Sequence, residues 1–339
     1  MRVRPATEAD VDAVAAFTRE TWRERDVGDY IPRLFPEWVA TDDERQRTLV
    51  LDAREPGADG APDPDDLAGI VQGKLLTDHE GWVQGLRVNP TYRGEGCGAR
   101  LLEAALAFTR EAGATVARCM IFSWNAPSLG LCRSVGFQPA TEFRWAYPDP
   151  DPDADPEAGG FSVDDGADAD ADAAWQFWTA SDARDHLRGL ALDDEEWWAL
   201  STLTRERLRS AAADDRLFVV NRTDAAPDAD WSEGGTRGFT YRVRMFERPI
   251  GTDPDGEARS DSELWAEYAV GAWASPAAAR AVLRAAARDA AAVGADRARL
   301  LVPESARWVS DVALARGGLA DEPDFVLAAD LGDERVGSR

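Results

Sequence analysis

Val88-Asn89-Pro90-Thr91-Tyr92-Arg93-Gly94-Glu95-Gly96-Cys97-Gly98 reads as the end of an apolar strand that breaks into an Arg-Gly-x-Gly-x-Gly turn and opens a helix. Glycines at alternate positions let successive backbone N–H groups point into one concavity without Cβ obstruction. The first turn of the following helix adds unpaired donors and its positive dipole end. Such a turn suits phosphate, and Arg93 adds a fixed cation; its second reading is a surface charge paired with Glu95 or Glu103. Upstream, Gly81 to Val88 alternates apolar and polar residues as a half-buried strand does. Downstream, Leu101, Ala105, Phe108 and Ala112 fall at helical spacing, with Leu102 and Leu106 beside them and Gly113 where the helix stops. Val116 to Phe122 is a short apolar run suited to a buried strand, and Asn125 to Phe137 forms a further helix ending in Gly136-Phe137.

Strand, phosphate loop, helix, strand and helix in this order resemble a GNAT-type (GCN5-related) N-acetyltransferase domain over residues 1 to 147. The family's pyrophosphate loop is Arg or Gln, two residues, Gly, one residue, then Gly or Ala, which Arg93-Gly94-Glu95-Gly96-Cys97-Gly98 matches; Asn125 and Gly136-Phe137 match its later helix. Arg4-Pro5-Ala6-Thr7-Glu8-Ala9-Asp10-Val11 resembles the family's first strand and helix start. A dinucleotide fold would instead set its glycine turn near the first strand, with an acidic residue about 20 positions on. The expected fold class is therefore α/β, an α+β mixed sheet flanked by helices.

The resemblance implies acetyl-CoA as co-substrate and direct attack of a neutral amine on its thioester. By similarity, the strand ending at Val88 splays from its neighbour, the Val88 N–H points at the thioester carbonyl, and backbone groups of Leu86 and Val88 pair with the pantetheine amides. The pyrophosphate would sit on the N–H groups of Arg93, Gly94, Gly96, Cys97, Gly98 and Ala99, with Asn125 also on the cofactor side. The family's general acid is a tyrosine seven residues after the helix-opening Asn, and here that position is Cys132. A thiol of reference pKa about 8.5 is able to donate a proton; Cys132 reads equally as a small core residue, with Tyr147 or water as the substitute donor. A base is expected near the open end of the strand, where Asp78, His79 and Glu80 cluster, with His79 and Glu80 the leading candidates against a merely solvated turn. Acceptor choice is expected from Trp22 to Val39, which carries Trp22, Arg23, Asp26, Asp29, Tyr30, Phe35, Glu37 and Trp38. These residues suit an amine with an apolar neighbour, or simply pack helices on the sheet.

The second half repeats the pattern of the first. Gly113-Ala114-Thr115-Val116-Ala117-Arg118 parallels Gly294-Ala295-Asp296-Arg297-Ala298-Arg299, and Gly136-Phe137 parallels Gly318-Leu319. Phe143 and Phe325 fall in the closing strands. Pro90 to Gly113 spans 23 residues and Pro276 to Gly294 only 18, and the missing piece is the phosphate loop. The reading is two tandem GNAT acyl-CoA N-acyltransferase-like domains: a catalytic domain over 1–148, an acidic linker over 149–172, and a degenerate copy over 173–332. Glu55 to Asp66 is expected as an insertion between two strands, with Asp224 to Gly235 and Gly251 to Ser262 as loops of the second domain.

Net charge is -25, and of 38 basic residues only Lys74 is lysine. An acidic surface repels phosphate backbones, which argues against a nucleic-acid partner. Asp excess with almost no Lys suits a high-salt cytoplasm, as in a halophilic archaeon, where salt screens self-repulsion. No run of 18 apolar residues and no signal-peptide pattern occur, so no membrane partner and a cytoplasmic location are expected. Cys97, Cys119 and Cys132 form no Cys-x-x-Cys pair and point to no metal site. Two function classes follow: an N-acetyltransferase acting on a primary amine (a small molecule, antibiotic, amino-acid derivative or peptide N-terminus), or a noncatalytic acyl-CoA-binding sensor. Either is compatible with a monomer or a homodimer.

Overall fold

The first strands, Arg2–Pro5 (β1) and Gln46–Asp52 (β2), bracket two helices, Val11–Thr18 (α1) and Ile31–Ala40 (α2). Leu67–Leu75 (β3) and Glu80–Val88 (β4) follow, then Cys97–Glu111 (α3), Val116–Phe122 (β5) and Ala126–Ser134 (α4). The chain continues through Gln138–Tyr147 (β6), Phe161–Asp165 (β7), Ala171–Thr179 (α5), Asp182–His186 (α6), Leu190–Leu192 (β8), Leu200–Thr202 (β9) and Arg205–Ala213 (α7). Leu217–Arg222 (β10), Gly235–Pro249 (β11), Ser262–Tyr268 (β12), Ala272–Trp273 (β13), Pro276–Ala292 (α8), Arg297–Pro303 (β14), Ala306–Leu314 (α9), Gly318–Leu319 (β15) and Asp324–Asp330 (β16) complete it. This computed structural model describes residues 1–19, 29–55, 57–58, 60–157, 159–166, 169–223, 235–249 and 262–332. The expected loops after Asp224 and Gly251 lie almost entirely outside the described residues.

The elements form a mixed α/β fold in two compact units. The first comprises Met1–Pro139 with Val326–Arg339, and the second is built from Ala140 to Phe325. Against the boundaries expected from sequence, the first unit gives up Ala140 to Pro148 and takes in the chain's last strand from Val326 onward. The expected linker carries β7, which pairs antiparallel with β10. Its alternating Phe161 and Val163 are buried, a strand too short to stand out from the acidic, glycine-rich residues around it.

In the first unit, β1 to β4 are antiparallel neighbours in chain order, β4 meets β5 in parallel, and β16 flanks β5. The Leu331 N–H donating to Thr115 O at 2.9 Å holds that last strand's end. One sheet face receives α1 and α2 through Val14, Phe17, Ile31, Phe35, Val50 and Ile70. The helix α3 lays Leu101, Leu102, Ala105 and Leu106 on the sheet, a stripe at helical period. In the second unit β7, β10, β11, β12, β14 and β6 are successive neighbours, with β12 and β14 parallel. Among the described residues, no helix is long and apolar enough to cross a membrane.

Candidate active site

Two features of β4 set the geometry of the site. Opposite Val71 the strand carries two residues, Gly85 and Leu86, so Ile70 faces Arg87 while Gln72 faces Gln84. This bulge needs the positive φ of Gly85, +67°, and the indole of Trp38 lies where a Cβ would be, 2.5 Å away. The second feature is a divergence: β4 pairs with β5 only at Glu80, Gly81 and Trp82, and the remaining length of β4 has no partner on β5. The Asn89 N–H donates to Ala68 O at 3.0 Å. Because an antiparallel ladder alternates its bonds, the N–H and C=O of Val88 then point to the opposite edge, into the opening.

The glycine turn follows at once. Gly94 and Gly96 have φ of +87° and +77°, and the space around both is open to 4 Å. Gly96 is the N-cap of α3 and brings no side-chain acceptor to it. The N–H groups of Cys97, Gly98 and Ala99 therefore sit at a helix start with no capping side chain, and the helix dipole adds partial positive charge. A Cβ on Gly98 would come within 2.6 Å of the Leu131 side chain and 3.4 Å of that of Val88. Its absence lets strand end, α3 and α4 converge. Arg93 is exposed and, among the described residues, makes no ion pair, so pairing with Glu95 or Glu103 does not occupy it. Two anchors fix the turn from behind. Buried Asn89 donates to Pro64 O and Leu67 O at 3.0 Å each and accepts from Thr91 N at 3.1 Å, while Tyr92 Oη donates to Asp65 O at 2.5 Å.

Across the opening, Asn125 caps α4 by accepting from Ser128 N at 3.2 Å, and the Phe122 and Trp124 rings stack with centroids 5.3 Å apart. Cys132 is buried on α4 beside Cys119 of β5. The neighbouring thiol and burial push Cys119 well above the usual thiol range. Burial likewise raises Cys97. Tyr147 lies in the second unit, where burial raises its phenol.

The expected base cluster needs correction. Asp78 and His79 precede β4 and Glu80 opens it, at the end where β4 and β5 are still paired. Val88 is eight residues on, roughly 26 Å at strand rise. Glu80 is buried and ion-paired with Arg118 at 2.5 Å, and His79 is exposed beyond it. None of the three reaches the open end.

On the sheet face beneath α1 and α2, the bulge sets Gln84 and Arg87 side by side in a polar row that the sequence reading missed. Arg87 holds Asp29 through bonds of 2.6 and 3.0 Å, with the Tyr30 ring 5.1 Å from its guanidinium. Gln84 donates to Gln72 (2.7 Å), Gln72 to Thr48 (3.1 Å), and Thr48 to Asp42 (2.9 Å), whose carboxyl is pushed up by burial. Of the expected acceptor segment, Asp29 and Tyr30 join this row, Phe35 and Trp38 pack in the core and Glu37 is exposed. Trp22, Arg23 and Asp26 lie outside the described residues. Among the described residues no cluster of three or more His, Cys, Asp or Glu side chains is arranged to hold a metal.

Residues 15–137 match the model of the acetyltransferase (GNAT) family, a span that contains the divergence, the glycine turn and α4. In fold, the chain is similar to a GCN5-related N-acetyltransferase from Sphaerobacter thermophilus, at 16% identity and TM-score 0.59, covering 97% of this chain and 95% of that one. It is also similar to the GCN5-related glucosamine N-acetyltransferase region of a fungal multi-domain GH3 β-N-acetylglucosaminidase, at 14% identity and TM-score 0.58, covering 96% of this chain and 38% of that one. No curated protein sequence matches this chain.

Proposed function

We propose, from the match of residues 15–137 to the GNAT acetyltransferase family as premise, that this protein transfers an acetyl group from acetyl-CoA to a primary amine in a ternary complex. The observation that carries the reading is the parting of β4 from β5, with Val88 backbone groups facing the opening one turn before the uncapped start of α3. The pyrophosphate would lie on the N–H groups of Gly94, Gly96, Cys97, Gly98 and Ala99 with Arg93 beside it, and the pantetheine would replace the missing β5 partner along Leu86 and Val88. Asn125 borders the same groove.

In the reaction the neutral amine nitrogen attacks the thioester carbon, the carbonyl oxygen gains charge opposite the Val88 N–H, and the C–S bond breaks to leave a thiolate. A preorganised donor at that oxygen contributes roughly 3 to 4 kcal/mol. The amine loses a proton and the departing sulfur takes one up. The buried setting of Cys132 beside Cys119 supports water as the route to the thiolate. The polar row from Arg87 through Gln84 borders the acceptor side, and it supports recognition of a polar amine there.

Calorimetry with acetyl-CoA, paired with CoA release over a panel of small amines and peptide N-termini in high salt, tests the proposal. Binding of one equivalent with turnover on some amine is the expected outcome. Binding without turnover across the panel would favour an acyl-CoA sensor, and failure to bind acetyl-CoA would end both readings.

A further inference from the structure

The second unit carries a polar and aromatic layer that the proposed chemistry does not use. On one face of its sheet, Glu267 of β12 stands opposite Arg299 of β14 and Arg244 of β11. Arg299 is buried, donates to Glu267 at 2.6 Å and lies under the rings of Trp145 (4.2 Å), Trp198 (4.5 Å) and Phe246 (4.9 Å). Arg244 is satisfied differently. Its side chain is nine-tenths buried, its Nη2 donates to Asp193 O, and its Nε is 3.0 Å from Glu267 but not aligned for a hydrogen bond. Among the described residues its Nη1 is buried with no hydrogen-bond partner, and in the same layer the indole N–H of Trp265 is also buried without one. An unpaired buried donor is destabilising, more so on a charged group, so two in one layer call for an acceptor.

The cover over Arg244 is thin. Trp197 rests on Phe246 with centroids 5.0 Å apart and stands 5.6 Å from the Arg244 guanidinium, yet is 43% exposed. Trp198 beside it is held at φ +62°, a strained conformation for a bulky residue. The loop base is fixed by the Asp193 N–H donating to Ala199 O at 2.8 Å, so the exposed Trp197 side chain can turn without refolding of the loop.

We infer that this layer is a binding site for a small monocarboxylate carrying an aromatic ring: the ring takes the place of Trp197 on Phe246 and the carboxylate accepts from Arg244 Nη1. The carboxylate of Glu267, 3.0 Å from the Arg244 guanidinium, disfavours a dianion such as phosphate. A free amine is disfavoured here, because Glu267 is already shared by two guanidiniums.

Phenylacetate is the probe, with inorganic phosphate and benzylamine as controls, read by calorimetry and by the Trp265 indole N–H resonance identified through Trp265→Phe. Phenylacetate is expected to bind one per chain and to move that resonance. Arg244→Gln, which keeps a donor for Asp193, is expected to weaken binding about tenfold or more. Trp197→Ala, which removes the competing ring at an exposed position, is expected to tighten it and remains informative if the arginine variant does not fold. The inference is overturned if phenylacetate does not bind at about 10 mM, if Arg244→Gln binds it as well as the parent does, if Trp197→Ala binds it more weakly than the parent, or if phosphate or benzylamine competes equally.

Discussion

The helices α3 and α8 follow similar strand pairs and begin in opposite ways. Gly96 leaves the start of α3 uncapped, whereas Ser275 closes the start of α8 by accepting from Ala278 N at 3.3 Å, with Pro276 as the next residue. The strands differ in the same sense. Six residues past the first paired position of β4 comes Leu86, with no partner on β5; six past that of β12 comes Gly271, whose N–H donates to Leu301 O at 2.8 Å. One strand–turn–helix offers its donors to a ligand and the other spends them on itself. On the proposed reading, a handful of residues, not the fold, decides whether such a unit holds acyl-CoA.

Breaking the open half should have the largest effect. Gly96→Val places a β-branched residue at φ +77°, but nothing lies within 4 Å of the new Cβ, so the substitution perturbs the turn and spares the packing. Acetyl-CoA affinity is expected to fall by about 100-fold, near 2.7 kcal/mol, with a melting temperature within a few degrees of the parent. The parent is expected to titrate with one equivalent per chain. A variant that retains affinity, or a parent that takes two equal equivalents, breaks the comparison.

The second unit should show itself in stability instead. Burial raises Asp324 to about 6, although Trp145 donates to it at 3.2 Å. A carboxyl raised above its unfolded value near 3.8 contributes stability that is full below about pH 4 and lost as pH rises through about 6. Asp324→Asn is therefore expected to gain on the parent by up to about 3 kcal/mol between pH 4 and pH 8, seen as a growing difference in melting temperature. Acetyl-CoA affinity should not change. A difference independent of pH would show that Asp324 is not held protonated in the fold.

Ser275→Ala sharpens the contrast at smaller scale. Loss of the cap should cost about 1 kcal/mol of stability without altering acetyl-CoA binding. If Ser275→Gly instead creates a second site, the bond from Gly271 to Leu301 is not what closes that half.

The halves also differ in how much of them was legible in sequence. The glycine turn was readable because positive-φ glycines before a helical apolar stripe leave a local signature, and the same logic showed its absence after Pro276. The bulge was not, because Gly85 in a strand looks like any other glycine and its partner count depends on β3. Asp78, His79 and Glu80 were assigned to the wrong end of β4: a motif's nearness along the chain does not say where two parallel strands part. The Arg87–Asp29 pair joins residues far apart in sequence and depends on that same bulge. Placement of Val326 onward in the first unit is likewise a nonlocal strand pairing, invisible to any window along the chain.

The smallest expected effect concerns the position where the family's acid tyrosine would stand. Cys132 is buried and its thiol neighbours Cys119, which burial and that contact hold protonated. A proton donor to a departing thiolate must reach the sulfur, whereas this thiol is committed to the contact between α4 and β5. Cys132→Ala is thus expected to lower the melting temperature modestly, by the loss of a small buried group. It should leave turnover within about twofold and the pH–rate profile in place, as for a reaction whose leaving group is protonated by water. A basic limb that shifts or vanishes in Cys132→Ala, at unchanged acetyl-CoA affinity, would assign the proton to this thiol.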